Sequence, residues 1–459
     1  MGDDDAAWTS SECNEAIEAY HTLLRDNAGL AEESATMLAE AQGPAKVTFG
    51  GKPLCRVLRP HFLAPSTYTH IQEVCRVLSR AMFRLAERMP DDPQLIDPMG
   101  LTSDELDLIT VDPGYEPVSP TTRLDSFMGE DAWYFVEYNA ETPAAIAYED
   151  VLSELFQELP IMREFARRYR VTALPARHRL RDTLLDAYRQ WGGRSEPVIG
   201  IIDWTGVPTA TEFELFAEYF QRSGLQAVIA EPRQLSYDGE RLRVDGQPID
   251  LVYRRVLTAE LLAQPEVAEP LKRAYKDHNV CVVNSFRAKL LHKKMIFALL
   301  SDERYAHHFS DEERTVIARH VPWTREVKEG TTTYQGKEID LIRFVLDNQE
   351  RMVLRPNDEY GGKGVVVGWE SAAREWEGAL TEALTEPYVV QERVPVAREA
   401  FPMWADGDLV WPELSVDLDP YLFGTDVTGV LTRLSAAALL NVTAGTGSTA
   451  PTFLVDREG

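Results

Sequence analysis

The chain has few cysteines, no long apolar run and a shortage of bases, and each lack removes a class of function. Cys13, Cys55, Cys75 and Cys281 are scattered, with no C-x-x-C and no histidine cluster beside them. That excludes a zinc ribbon and a disulfide framework, and makes a reducing cytoplasm the expected compartment. The roughly eighteen consecutive apolar residues of a membrane helix never occur, so no membrane span is expected. Met1-Gly2-Asp3-Asp4-Asp5 has no basic stretch leading into an apolar core, so no secretory signal is expected. Asp5-Ala6 also lacks the Ser/Thr context of a myristoylation site. Lys and Arg number 47 against 74 Asp and Glu, a net charge of −27. A phosphate-neutralising surface for nucleic acid is therefore disfavoured. No G-x-x-x-x-G-K-[ST] is present, so any phosphate site is not a Walker A loop.

What is present is a chain of 459 residues with ordinary hydrophobic content, 44%. That suffices for two or three lobes with real cores. Its most informative stretch is Arg123-Leu124-Asp125, followed twelve residues later by Glu137-Tyr138-Asn139-Ala140-Glu141-Thr142-Pro143. Tyr134 to Asn139 reads as a strand of aromatic and β-branched residues. Side chains two apart on a strand share a face, so Glu137 and Asn139 can reach one ion together. Carboxylate and amide oxygens suit a hard cation such as Mg²⁺. Thr142 at N-cap and Pro143 at N1 then predict a helix whose bare N–H groups lie near that ion. The plainer alternative is that these side chains only decorate a strand end.

Along the chain, residues 10–42 read as helix, Thr48–Pro53 as a glycine-rich turn and Cys55–Leu58 as a short strand. Residues 66–88 form an amphipathic helix. Helices are expected after Ala147 and over 176–190. From 197 the pattern changes. Val198–Asp203 is a continuous apolar run of the buried parallel kind. With strands at 226–230, 251–256 and 280–283, it predicts a small βαβ domain. Lys289–Leu300 reads as helix. Residues 352–355, 365–367 and 388–391 read as strands, and 402–434 as antiparallel sheet.

Arg355-Pro356-Asn357-Asp358-Glu359-Tyr360-Gly361-Gly362-Lys363-Gly364 lies between two of those strands. Glycines at such a turn let backbone N–H groups approach phosphates, although a plain hairpin has the same look. Lys293-Lys294 precedes it, and Val389-Val390-Gln391-Glu392-Arg393-Val394 follows as an apolar strand ending in an acid.

Taken in order, these parts resemble the ATP-grasp fold, in which two α+β subdomains hold ATP between them. The metal-binding acids precede the hinge strand instead of following it. That order resembles the circularly permuted ATP-grasp enzymes, the group that includes glutathione synthetase and glutathionylspermidine synthetase. The fold class so implied is α/β: a circularly permuted ATP-grasp fold with a small Rossmann-like βαβ substrate domain. Its expected parts are an N-terminal helical segment over 1–99, a metal-binding part over 100–195, the βαβ domain over 196–284, and nucleotide-binding subdomains over 285–459.

The resemblance assigns roles residue by residue. Asp125, Glu137 and Asn139 would hold Mg²⁺, with Glu359 completing the site, and Arg123 would steady an acyl phosphate. Lys294, alone or with Lys293, and Arg355 would hold ATP phosphates beneath the Gly361-Gly362-Lys363 turn. Gln391, Glu392 and Val394 would border adenine and ribose. Arg433, Arg255 and the loop Val442–Gly447 would grip substrate. Three departures stand out. Arg355 takes the place of a usual Lys. The hairpin is one residue longer than in glutathione synthetase, which leaves Asp358 and Glu359 in competition. No amidase domain accompanies the ligase part. Other readings of single residues stay open: Arg254 and Arg255 as surface ion-pair partners, Arg433 paired with Asp426, and Lys293-Lys294 as a solvated helix end.

The resemblance implies an ADP-forming carboxylate–amine ligase using ATP and Mg²⁺, joining an amino acid or peptide carboxylate to an amine. A homodimer is among the assemblies it allows. A phosphotransferase acting on a carboxylate or hydroxyl, and a non-catalytic ATP-binding module, are the rival classes.

Overall fold

The computed structural model describes residues 11–129, 133–359, 361–436 and 447–457. The N-terminal part is two helices, α1 (Ser11–Asp26) and α2 (Ala28–Gln42), where one was expected. Asn27 breaks the run. Its Nδ2 donates back to Leu23 O at 2.9 Å, and its own carbonyl takes the first amides of α2. Residues 55–58 are not a strand. Cys55 N donates to the Gln42 side chain and Leu58 N to Pro402 O. The strand comes later, as β1 (His61–Leu63), followed by α3 (Pro65–Arg88).

The acidic motif occupies a hairpin of β2 (Thr121–Met128) and β3 (Trp133–Asn139). Its outer neighbours come from the far end of the chain. The order across the large, mostly antiparallel sheet is β1, β16 (Ser448–Arg457), β15 (Asp426–Ser435), β14 (Glu413–Phe423), β2, β3; β1 runs parallel to β16, while β4 (Tyr169–Ala173) pairs with β16 and β13 (Arg398–Ala400) with β14 off that path. One face of it is apolar. Leu124, Trp133, Phe135 and Tyr138 pack on Ile71, Val74, Leu78 and Met82 of α3, all buried. Each such side chain contributes about 1.5–3 kcal/mol on burial. Leu78→Ala alone would cost about 2–5 kcal/mol. The opposite face carries the polar residues.

After β3 the chain does not enter a helix at Thr142-Pro143. Helix α4 begins later (Ile146–Glu158), after Ala145 at φ 79°. The reason lies in its carbonyls. Pro143 O accepts from Arg255, and Ala144 O from both Arg123 and Tyr421, which holds residues 142–145 out of helical geometry.

A four-stranded parallel sheet follows. It contains β5 (Val198–Ile202), β6 (Gln226–Ala230), β7 (Leu251–Arg254) and β8 (Cys281–Val283), ordered β8-β7-β5-β6. The helix expected over 289–300 is interrupted, giving α5 (Lys289–His292) and α6 (Met295–Ser301). Asn357 causes the interruption: its carbonyl accepts from Lys294 N and its Oδ1 from Met295 N, capping α6. A second antiparallel sheet is ordered β9 (Thr324–Glu326), β12 (Tyr388–Glu392), β10 (Met352–Pro356), β11 (Val366–Val367). Its Met352, Leu354 and Val390 pack on Trp376 and Leu380. Its other face meets β3. Among the described residues, no helix is long and apolar enough to cross a membrane.

Candidate active site

Register brings the polar face of the large sheet together. Asp125 stands opposite Glu137, and Arg123 opposite Asn139. Tyr421 stands opposite Arg123, and Asp417 opposite Arg433. A bulge between Asp125 and Ser126 leaves Val136 without a cross-strand partner. Its carbonyl is thereby available to Arg355 of the second sheet, whose Nη1 donates to it at 2.5 Å.

Asp125 is the most heavily solicited group. Arg123 Nε donates to Oδ1 at 2.7 Å and Nη2 to Oδ2 at 3.0 Å. Asn139 Nδ2 donates to Oδ1 at 2.9 Å, and Arg433 Nη2 to Oδ2 at 2.7 Å. Burial pushes this carboxyl up, but the two guanidiniums and Asn139 outweigh burial and hold it down at about 2. Glu137 meets Arg355 Nη2 at 2.5 Å and lies 3.5 Å from Lys294 Nζ. Those two cations likewise overcome burial and keep its carboxyl below its ordinary value. Burial draws the Lys294 ammonium down, against the pull of Glu137.

Lys294 also donates to Glu359 O at 2.6 Å, so the glycine-rich hairpin closes directly over the acidic strand. Gly361 and Gly362 both lie in the left-handed region, at φ 65° and 77°. A Cβ at Gly364 would meet Pro356 Cγ at 2.7 Å, so the hairpin's exit must stay glycine. The Glu359 carboxylate pairs with Lys363 at 2.9 Å on the exposed side. Asp358 is held instead by Lys289 and Lys293, both buried.

The lysine pair is not a solvated helix end. Lys293 and Lys294 are 3% and 4% exposed and point to different clusters, because Lys293 sits in the break between α5 and α6. Arg254 and Arg255 are not surface partners either. Arg254 is fully buried against Glu141 at 3.0 Å, and Arg255 against Glu212 at 3.1 Å. Arg433 does not pair with Asp426. It reaches Asp125, Asp417 and Asp419.

Gln391 shares a face with Arg355 and accepts from its Nη1 at 3.0 Å. Glu392, the next residue, points the other way, as strand alternation requires. It binds Arg351 and Tyr334. A cavity of about 520 Å³ lies at the end of β12, lined by Glu392, Val394, Trp323 and Tyr134 among others. The loop 442–447 lies outside the described residues but for Gly447.

Sequence reasoning passed over Asp417, Asp419 and Glu141. The signal was there. Asp417-Leu418-Asp419 alternates on a strand beside that of Arg433, and Glu141 continues the alternation Glu137, Asn139.

The donor set fits Mg²⁺ in kind. Asp125, Glu137 and the Asn139 amide oxygen come from facing strands, and a small hard ion completes its shell with water and phosphate. Among the described residues, no three His, Cys, Asp or Glu side chains are arranged as a metal cage by themselves. Two acids and an amide are what an ion shared with a triphosphate requires.

A cleft between two α+β layers, acidic on one wall and glycine-rich on the other, defines the ATP-grasp class. The family model for circularly permuted ATP-grasp type 2 matches residues 126–435, about two thirds of the chain, and the chain belongs to that family. Arg123 and Asp125 lie just before the matched span. Two curated relatives bear the names glutamate–cysteine ligase 2-2, from Frankia casuarinae, and 2-3, from Frankia alni. They are each 26% identical, over 350 and 363 residues. The matches cover 70% and 73% of this chain but only 36% and 39% of those relatives. Among solved structures, a glutathione synthetase-like effector of Globodera pallida, in apo form, superimposes with TM-score 0.55. It covers 94% of this chain and 98% of its own at 12% identity, a likeness of fold.

Proposed function

We propose that this protein is an ATP-dependent, ADP-forming ligase that joins a carboxylate to an amine through an acyl phosphate. One observation carries the reading: Lys294 lies against Glu137 and the hairpin carbonyl of Glu359 at once. Acids from the first third of the chain and the glycine turn from the last third therefore share one site, as a single triphosphate would require. The relatives' names point to amino acid substrates.

In this reading the substrate carboxylate oxygen attacks the γ-phosphorus of ATP and ADP leaves. The amine nitrogen then attacks the acyl carbon, phosphate leaves, and the ammonium proton is lost. Asp125, Glu137 and Asn139 would hold Mg²⁺, which would neutralise charge on the phosphate oxygens. Lys294 and Arg355 set positive charge where the phosphoryl group moves. Arg123 is oriented by Asp125 toward the acyl phosphate. The hairpin excludes water, which would otherwise destroy the intermediate. Gln391 and the residues flanking the cavity at the end of β12 border adenine. The parallel-sheet unit and Arg433 face the second substrate.

The test is product analysis with Mg-ATP and panels of amino acids and amines. An amide mass appearing in step with ADP is the expected result. A stable phosphorylated product would make the protein a phosphotransferase. Tight ATP binding with no ADP formed across the panels would make it a binding module.

A further inference from the structure

Between the end of β3 and the start of α4 the chain runs as a short arch that side chains hold in place. Pro143 has no N–H to give. Its carbonyl accepts from Arg255 Nη1 at 2.8 Å. The next carbonyl, Ala144 O, accepts from Arg123 Nη1 at 3.1 Å and from the Tyr421 hydroxyl at 2.9 Å. Ala145 then takes φ 79°, in the left-handed region that a residue with a Cβ rarely enters. Such a backbone persists only where its surroundings over-determine it, and it clusters at functional sites.

One set of surroundings comes from the parallel-sheet unit. Arg255 immediately follows β7, and its Nη2 donates to Glu212 at 3.1 Å. Glu212 lies in the first turn of the helix Ala210–Arg222. Its other oxygen accepts from Ala147 N at 3.1 Å, in the first turn of α4. Glu212 and Arg255 are both buried. A buried ion pair is often no more stabilising than apolar side chains of like volume. What this pair does fix is the arch at both ends, Pro143 O through Arg255 and Ala147 N through Glu212.

The other end of the linkage is Arg123. Its Nε and Nη2 donate to Asp125 and its Nη1 to Ala144 O. A guanidinium has five N–H groups, so two remain for a ligand. Their direction depends on two bearings, Asp125 and Ala144 O. Tyr421 stands opposite Arg123 in the sheet and holds the second bearing with it. Simple satisfaction of buried carbonyls is the competing explanation, and it predicts no linkage between Arg255 and Arg123.

We infer that Arg255, with Glu212 behind it, and Tyr421 are positioning residues. Through the carbonyls of Pro143 and Ala144 they aim the two remaining N–H groups of Arg123 at the phosphoryl group being transferred. Arg255 acts from behind the arch and not on substrate. This rests on the ligase reading for calling that group an acyl phosphate, though not for the contact with a phosphoryl oxygen.

Calorimetry on the full chain tests it, with inorganic phosphate as the probe in the presence of Mg-ADP. The chains compared are the parent, Arg123→Lys, Arg255→Lys and the double variant. Lysine at 255 keeps the charge beside Glu212 but cannot hold Glu212 and Pro143 O as the fork does. Each single variant should weaken phosphate binding by about five- to twentyfold and leave Mg-ADP binding within about twofold. The double variant should bind phosphate within about twofold of the weaker single one, because Arg255 acts through Arg123. Tyr421→Phe leaves no buried charge unpaired and serves where Arg255→Lys does not fold. It too should weaken phosphate binding in the parent and change nothing in the Arg123→Lys background. No phosphate binding by the parent, parent-like binding in Arg255→Lys or Tyr421→Phe, or losses that multiply in the double variants would each overturn the inference. ADP release dependent on carboxylate and amine is followed separately on the parent protein. Its absence would sink the ligase reading and leave the positioning of Arg123 standing.

Discussion

Two buried ionic clusters flank the same stretch of chain, and they differ in balance. Glu141, two residues past Asn139, belongs to the first. There Glu105, Glu141 and Asp358 meet Arg254, Lys289 and Lys293, three acids to three bases, all inaccessible but Asp358. Burial acts upward on Glu141, yet Lys289 and Arg254 hold its carboxyl far below the usual range. The second cluster joins Asp125, Asp417 and Asp419 to Arg123 and Arg433, with acids in excess. There burial wins, and Asp417 and Asp419 sit above their ordinary values despite Arg433. A balanced network has no use for a further ion and fixes geometry. It ties the parallel sheet, α5 and the glycine hairpin to β3.

The largest expected effect breaks the balanced cluster. Glu141→Gln would leave Arg254 buried without a counter-charge and Lys289 with Asp358 and Glu105 alone, at about 3–5 kcal/mol of stability. Calorimetric unfolding should show a marked fall in Tm. Glu137→Gln should lower Tm less, because Lys294 and Arg355 keep their hydrogen bonds to Glu359 O, Val136 O and Gln391 Oε1, and should lower kcat by about 10²–10³, because it removes charge from the site of phosphoryl transfer. If Glu137→Gln unfolds the protein while Glu141→Gln stays folded but inactive, the division of labour between the clusters is reversed.

That division also explains how much was legible. Glu137 and Asn139 were readable because they alternate on a strand, and alternation is local. The permuted order of parts was readable because family motifs keep their sequence. Balance was not readable. Thr142-Pro143 looked like the start of a helix, yet Pro143 and Ala144 give their carbonyls to Arg255, Arg123 and Tyr421, from three distant segments. Lys293 and Lys294 looked alike, and only the Asn357 cap, more than sixty residues away, turns them apart. Long-range capping and cross-strand register carry no local period, so they appear only once the chain is folded.

A smaller effect sharpens the contrast by adding a cluster with no acid excess at all. His61 is 5% exposed, with neither ring nitrogen bonded among the described residues, near Arg59, His21 and Glu399. Burial lowers its imidazole to about 4, and His21 likewise to about 4. The unfolded chain takes up these protons near pH 6.5, whereas the folded chain waits until about pH 4. The stability these histidines contribute is therefore complete above pH 6.5 and lost as pH falls to about 4. For His61 that amounts to about 1–3 kcal/mol. Urea unfolding across this window should show His61→Gln losing correspondingly less than the parent. Equal losses would mean that His61 is protonated in the fold and paired with Glu399.

The smallest effect concerns the residue that departs from the family pattern. Arg355 spans three partners with one guanidinium: Val136 O at 2.5 Å, Glu137 at 2.5 Å and Gln391 Oε1 at 3.0 Å. A lysine ammonium could meet Glu137 but could not hold the bulge carbonyl and the amide at the same time. Arg355→Lys keeps the charge for phosphate and gives up that bracing. The loss is about one hydrogen bond, roughly 1 kcal/mol, or about fivefold in affinity. It should appear as a higher KM for ATP with kcat almost unchanged, since bracing acts alike on bound substrate and transition state. A fall in kcat larger than the rise in KM would place Arg355 on the moving phosphoryl group. It would then act with Glu137 and Lys294 where the phosphoryl group moves.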